Sequence, residues 1–356
     1  MSSNDTKPGL IALLGSGETL PSSRRTHEEI IRYLPKPPNI AILETPAGFE
    51  PNSDRVAGKI KEFLVQRLQN YSPNIDILPA RKKGTLFSPD DPEIVAPLFE
   101  AHEILLGPGS PTYAAAQLKD SLAYEIMKAK HQLGTALFLS SAATLAFSKF
   151  TMPVYEIYKV GEDLHWKNGL NFFANYGLSL SIIPHWNNND GGEELDTSRC
   201  YLGRARFEQL ADMLPKGNTI IGIDEHTSLI IDLSKQTCKI IGKGIVTILR
   251  NGDQKNFTSE QQFDLTQLGK ARIPKPGKGV DPKIWEQTLI KQKESIEQSS
   301  KTRSAPDEVL TLVEKREEAR NNRDWKTADR LRKLITDVGW QVMDTPDGSK
   351  IIEITD

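Results

Sequence analysis

The stretch Leu137-Phe138-Leu139-Ser140-Ser141-Ala142-Ala143-Thr144 joins an apolar run to two hydroxyls and then to small residues. A buried strand that turns sharply into a helix lifts one hydroxyl to the carboxyl edge of a sheet. Small neighbours are needed because the strained turn leaves no room for bulk. The first backbone N–H groups of the following helix, that of Ala142 among them, could receive a developing oxyanion. The same residues also suit a plain serine helix cap packed by alanine. A second loop, Gly107-Pro108-Gly109-Ser110-Pro111, follows the apolar run Ile104–Leu106 and precedes a helix-like segment. Loops at the carboxyl ends of neighbouring parallel strands converge, so the Gly109 N–H could reach the same oxyanion. Gly15-Ser16-Gly17-Glu18 could line the same rim; with Leu20 at the third glycine position it is not the dinucleotide fingerprint. A serine nucleophile needs a base. Among six histidines, His185 in Ile182-Ile183-Pro184-His185-Trp186 ends a strand-like run before the polar loop Asn187–Glu194. The base needs an acid to orient it, and Glu225 and Glu156 both qualify.

These residues must be carried by a scaffold, and the first two-thirds of the chain supplies one. Short apolar runs at Leu10–Leu14, Ile40–Leu43, Ile75–Leu78, Ile104–Leu106 and Thr135–Leu139 alternate with amphipathic segments. The helical segments fall near Arg24–Leu34, Arg55–Leu68, Pro92–Ala101 and Thr112–His131. Such alternation predicts an α/β fold, a mostly parallel sheet covered by helices on both faces. After Ser148 the pattern shifts to strand-like pieces at Val154–Lys159, Leu178–Ile183, Thr219–Ile223, Ser228–Leu233 and Ile245–Leu249. An α/β domain is expected over residues 1–269. Residues 270–303 read as a linker holding a helix near Lys283–Gln298. Residues 304–356 read as a helical hairpin followed by a β-hairpin. Ser304 and Asp307 have capping-box spacing, Asp324 can cap a second helix ended by Gly339, and Thr345-Pro346-Asp347-Gly348 makes the turn.

The 356 residues carry a net charge of −2, so no overall basic field draws nucleic acid, and RNA contact would need a local patch. Two cysteines, Cys200 and Cys238, lack CxxC spacing, which excludes a disulfide framework and a cysteine-based zinc site. Neither a signal-like apolar core at Met1–Pro8 nor a run long enough to span a membrane is present. The expectation is a cytoplasmic protein without metal or cofactor, its oligomeric state left open.

Taken in order, these motifs resemble the dipeptidase E and cyanophycinase family of serine peptidases, across about Gly9–Leu268. The resemblance implies a fold like the class I glutamine amidotransferases. Gly15-Ser16-Gly17-Glu18 fits the family's Gly-rich, Glu-containing loop, and Pro108-Gly109-Ser110-Pro111 stands at its oxyanion loop. Ser141-Ala142-Ala143-Thr144 matches its Ser-Ala-Gly-Ala, which selects Ser141 over Ser140, and Pro184-His185-Trp186 matches its histidine. Gly222-Ile223-Asp224-Glu225 matches a cyanophycinase segment and implies Glu225 as the acid; the dipeptidase E spacing implies Glu156. Ala143 and Pro111 depart from the family's glycine and glutamine. The family cleaves after aspartyl residues, so Arg204 and Arg206, in its Arg-x-Arg motif, are implied to hold a substrate carboxylate, with Glu18 on the rim.

The C-terminal residues resemble the C-terminal extension of cysteinyl-tRNA synthetases, through Arg316–Arg320, Asp324–Arg332 and Gly339–Gly348. No HIGH-type or KMSKS-type signature and no zinc cysteine set accompany them, so aminoacylation is not expected. Arg316, Arg320 and Arg323 fall at helical spacing and could touch tRNA phosphates, although Glu314, Glu317 and Glu318 cancel much of that charge. The reading is therefore a serine hydrolase acting on a small peptide or amide through Ser141, His185 and Glu225. The alternative is a non-catalytic RNA-associated protein with the α/β domain as scaffold. Glutamine-type amidotransfer is weaker, because it calls for a cysteine where Ser141 stands.

Overall fold

The computed structural model describes residues 7–302, 305–345 and 348–354. The chain splits into two compact units, Met1–Leu289 and Ile290–Asp356.

In the first unit, strands β1 (Ile11–Leu14), β2 (Asn39–Leu43), β3 (Asn74–Leu78), β4 (Glu103–Leu106) and β5 (Ala136–Ser140) pair in parallel, in the order β1-β5-β4-β2-β3. Helices α1 (Pro21–Ile31), α2 (Ser53–Arg67), α3 (Pro92–Val95), α4 (Pro111–Leu118) and α5 (Leu122–Gln132) connect them. Alternate residues of one strand face opposite cores. Ile11, Leu13, Leu137 and Leu139 pack on one side, while Ala12, Leu14 and Phe138 meet Ile30 of α1 and Ile60 of α2 on the other. Burial on both faces explains why these strands read as unbroken apolar runs. The α/β class expected from the sequence is the class observed.

Beyond β5 come α6 (Ala142–Phe147) and the two-residue strands β6 (Phe150–Thr151) and β7 (Lys167–Asn168). Strands β8 (Leu180–Ile183) and β9 (Thr219–Ile223) follow, with α7 (Arg204–Asp212) between them. The remaining strands are β10 (Thr227–Asp232), β11 (Thr237–Gly242), β12 (Ile245–Arg250), β13 (Asp253–Thr258) and β14 (Gln262–Asp264). The first sheet gains an antiparallel edge, β14-β11-β10, beside β1; a second sheet runs β13-β12-β9-β8. Neither the antiparallel edge nor the second sheet was part of the sequence reading.

Local differences have local causes. The helix expected over Thr112–His131 is two helices, because Asp120 adopts φ 56° and Ser121 caps α5, accepting the Tyr124 N–H at 3.2 Å. The helix expected over Pro92–Ala101 changes to a 3-10 turn at Ala96–Phe99, around Pro97. Val154–Lys159 is helical rather than extended, with a π turn at Glu156–Val160 that buries Ile157. Residues 270–281, expected as linker, are strapped to α5. The Gly277 N–H reaches Gln132 at 3.0 Å, Lys128 reaches the Gly279 carbonyl at 2.7 Å, and the Asp281 N–H reaches Glu125 at 2.9 Å. The first unit accordingly extends to Leu289 instead of 269.

Helix α8 (Pro282–Thr302) crosses the division. In the second unit, α9 (Asp307–Asn321) and α10 (Trp325–Asp337) precede a hairpin of β15 (Trp340–Thr345) and β16 (Gly348–Glu353). Val309, Val313, Ile335, Trp340 and Val342 form its core. Asp324 caps α10 as expected, accepting the Thr327 N–H at 3.1 Å, and Gly339 follows α10 at φ 84°. Met1–Thr6, the Ser304 cap and the Pro346-Asp347 pair of the turn lie outside the described residues.

Candidate active site

Strand β5 ends at Ser140, and the chain reverses at Ser141 with φ 50° and ψ −115°, a region that residues with a Cβ rarely enter. Ala142, Ala143 and Ala146 of the helix that follows are buried, which favours small side chains there. The Ser141 N–H is used by the Leu14 carbonyl at 3.0 Å. Its hydroxyl meets His185 Nε2 at 2.9 Å. Ser140, fully buried, donates instead to Glu18 at 3.1 Å, so the two hydroxyls have separate uses.

His185 follows β8 and Pro184, also at positive φ (50°). Its backbone is clamped: its N–H reaches the Gly15 carbonyl at 3.3 Å, and its carbonyl accepts from Asn188 and Cys200, each at 3.1 Å. Across the ring, Nδ1 lies 2.8 Å from Glu225 Oε1. A carboxylate only accepts, so Nδ1 carries the proton and Nε2 is left to accept from Ser141. Glu225 sits in the short turn between β9 and β10. The His185 hydrogen bond holds its carboxyl below the usual range; partial burial opposes this, and the Asn188 hydrogen bond and nearby imidazoles reinforce it. On β9, a Cβ at Gly222 would fall 2.3 Å from the Trp186 ring, so glycine lets the strand approach the residue after the histidine.

Gly109 follows β4 at φ +145°, and a Cβ there would lie 2.0 Å from the Pro46 carbonyl oxygen. The Ser110 N–H bonds that carbonyl at 2.9 Å. Among the described residues nothing accepts the N–H of Gly109 or of Ala142. Both residues line, with Ser141 and His185, a cleft of about 620 Å³.

Other expected residues are placed differently. Glu156 does not meet His185; it pairs with Lys167 at 3.0 Å. Burial pushes its carboxyl up, but hydrogen bonds from Thr112 and Lys167 bring it net below the usual range. Arg204 and Arg206 do not line the cleft. Arg204 is exposed, and its backbone N–H donates to Asp196 at 2.8 Å. The Arg206 guanidinium is turned onto the Leu202 and Tyr201 carbonyls just before α7. Glu18 does line the cleft.

The sequence reading missed several wall residues: Lys159, Asp190, Tyr155, Tyr158 and Tyr201. The Tyr201 ring lies 5.6 Å from that of His185, and its phenol is pushed up by burial and by the nearby Asp190 carboxylate. It also missed Asn188. The polar loop after His185 was the available signal.

In the second unit, Arg316 is buried at 3% exposure, near Glu317 and Ser349, so it is not free to meet phosphate. The cause is register: Val309, Val313, Arg316 and Ala319 share the buried face of α9. Arg320 is half-buried and Arg323 exposed. Exposed Lys326, Arg330 and Lys333 recur at helical spacing on α10, beside an exposed Trp325.

Comparison with known proteins bears on each unit. Residues 302–350 match the family model of the cysteinyl-tRNA ligase anticodon binding domain. Over 46 residues the chain is 54% identical to cysteine–tRNA ligase of Methanosarcina mazei, and over 56 residues it is 43% identical to that of Caldicellulosiruptor saccharolyticus. These segments are 13% and 16% of this chain, but they span only 10% and 12% of the ligases. Resemblance to the anticodon binding domain is thus confined to the C-terminal residues. Over most of its length the chain is similar in fold to the crystal structure of a peptidase from an acI-B1 Actinobacterium. That likeness has a TM-score of 0.59 and 22% identity, covering 73% of this chain and 98% of the other. No helix among the described residues is long and apolar enough to cross a membrane.

Proposed function

We propose that the α/β unit is a serine-type hydrolase that cleaves a small peptide or amide, with Ser141 as nucleophile, His185 as base and Glu225 as acid. The observation that carries this reading is the unbroken chain of hydrogen bonds from Ser141 Oγ to His185 Nε2 at 2.9 Å and from His185 Nδ1 to Glu225 at 2.8 Å. Three separate strand ends contribute to it, and Ser141 and His185 both stand at positive φ. Strained backbone of this kind persists where the surroundings hold a functional geometry.

Ser141 Oγ attacks the substrate carbonyl carbon as its proton passes to His185 Nε2, and Glu225 stabilises the imidazolium. The carbonyl oxygen, now negative, takes the N–H groups of Gly109 and Ala142. Collapse breaks the C–N bond, and the leaving amine takes the proton from His185. Water, deprotonated by His185, then attacks the acyl-serine, and the acid product leaves as Ser141 regains its proton. Cleavage after aspartyl residues would need a cation near the substrate. Among the described residues, Lys159, not Arg204 or Arg206, is the lysine or arginine on the cleft wall. Cytoplasmic residence suits the free thiols, Cys200 and Cys238.

A fluorophosphonate probe tests the nucleophile: wild type is labelled and Ser141→Ala is not. Equal labelling of the two would remove Ser141. Screening aspartyl and β-aspartyl dipeptides against the same pair then tests the substrate class.

The C-terminal unit is proposed as a tRNA contact, supported by the match to the anticodon binding domain and by Lys326, Arg330 and Lys333 on one helix. Aminoacylation is not proposed. Replacing Lys326 and Arg330 by glutamate should weaken a salt-dependent tRNA gel shift, lowering the salt slope by about one per lost phosphate contact. An unchanged shift would exclude this surface.

A further inference from the structure

Asn188 lies in the polar loop after His185, yet its side chain is only 3% exposed. Its amide N–H donates to Glu225 Oε1 at 3.1 Å, the same oxygen that receives the His185 Nδ1–H. Its carbonyl oxygen accepts the Asp190 N–H at 3.2 Å, and its backbone N–H returns to the His185 carbonyl. Its neighbour Asn187 accepts the Glu225 N–H at 2.8 Å. One short turn therefore grips the acid by its backbone and by one carboxylate oxygen, and the base by its carbonyl. A glutamate has more rotatable bonds than an aspartate, so without such a grip its carboxylate could swing from the imidazole.

We infer that Asn188 is the positioning residue of the relay, holding the Glu225 carboxylate against His185 and tying it to the Asp190 wall of the cleft. This rests on the reading of Glu225 as the acid of a hydrolase. Amide donation to an ionised acceptor is the stronger class of hydrogen bond, and here the donor is shielded from water. The link to Asp190 has a further consequence: a substrate group bound at that wall bears on the same amide that aims the acid.

The test reads Glu225 itself, by carbon NMR titration of its carboxyl in the full chain, alongside the rate of fluorophosphonate labelling. The titratable groups facing Glu225 are His185, His226, Asp224, Cys200 and Tyr201. Asn188→Ala removes the donor and should raise the Glu225 midpoint by about half to one unit, while labelling slows about tenfold. Asn188→Asp keeps the acceptor for the Asp190 N–H and the shape of the turn, but sets a second carboxylate beside Glu225. It should raise the midpoint further and slow labelling at least as much. A turn-forming role alone predicts otherwise: Asn188→Ala would leave the midpoint in place, and Asn188→Asp, whose added charge raises the midpoint under either role, would label at the wild-type rate. That result overturns the inference. A moved midpoint in a protein whose wild type resists the probe would instead sink the hydrolytic reading, while leaving the grip of Asn188 on Glu225 in place.

Discussion

Gly109→Ala isolates the oxyanion donor from the rest of the site. The added Cβ would lie 2.0 Å from Pro46 O, 2.2 Å from Pro46 C and 2.6 Å from Ala47 N, all backbone atoms that no rotamer change can clear. Real Cβ atoms stay beyond 3.0 Å, so one side must retreat by about 1 Å. The Pro46 turn is the firmer side. Glu44, 4% exposed, precedes it and is held by Arg81 at 2.6 Å and Ser53 at 2.8 Å, while the Thr45 hydroxyl bonds the Ala80 carbonyl. Gly109 must therefore give way, at a φ that alanine also disfavours. A 1 Å misplacement of a donor costs on the order of 10²-fold in rate, about 2.7 kcal/mol. Backbone strain adds about 1–3 kcal/mol of destabilisation. Labelling by a fluorophosphonate is to be timed below the melting transition, with circular dichroism confirming the fold. The expected result is labelling slowed about 100-fold with a lowered Tm. Labelling within about twofold of wild type in a destabilised protein would refute the assignment of the Gly109 N–H.

Glu225→Gln should slow labelling by roughly 10³–10⁴-fold, because an amide facing Nδ1 favours the tautomer that leaves no base toward Ser141; a change below about tenfold would point to another acid. Glu156→Gln should leave the labelling rate within about twofold, since its partner is Lys167, with a fall in Tm set by that half-exposed pair. Asp196 accepts the Arg204 and Ser198 N–H groups, and the first of these chiefly holds its carboxyl down at about 2, below the ordinary 3.8. Its folded form thus resists protonation more than its unfolded form. The stability it contributes is present above about pH 4 and disappears as the pH falls toward about 2. Acid unfolding of Asp196→Asn should show less pH dependence across that window, and an unchanged curve would contradict the contacts.

How much of this could be read from residues alone follows from how local each demand is. The turn at Ser141 needs an apolar strand before it and small residues after it, and Leu137–Ala143 spells out both. Gly109 and His185 likewise stand just after apolar strands, so their strand-end placement was legible, but β4 and β8 belong to different sheets and the meeting of their ends was not. The acid was not legible in the same way. Glu156 and Glu225 both lie within plausible chain distance of His185, and only the packing of β9 beside β8 decides which one arrives. The Arg204 and Arg206 pair failed as cleft residues because α7 leaves the first exposed and turns the second onto the Leu202 carbonyl just before the helix. Arg316 failed because a charged residue at a core register still packs inward with its apolar stem. Strand β13, whose residues are almost all exposed, carries no apolar signal. Its place is fixed by pairing with β12 and by Phe257, whose ring stacks on Phe263 at 4.0 Å.

The most direct measurement is a crystal structure of the fluorophosphonate adduct. The account predicts phosphorus bonded to Ser141 Oγ, with the phosphonyl oxygen about 2.7–3.1 Å from the N–H groups of both Gly109 and Ala142. An adduct on any other residue, or an oxygen turned away from those two amides toward solvent, would contradict it.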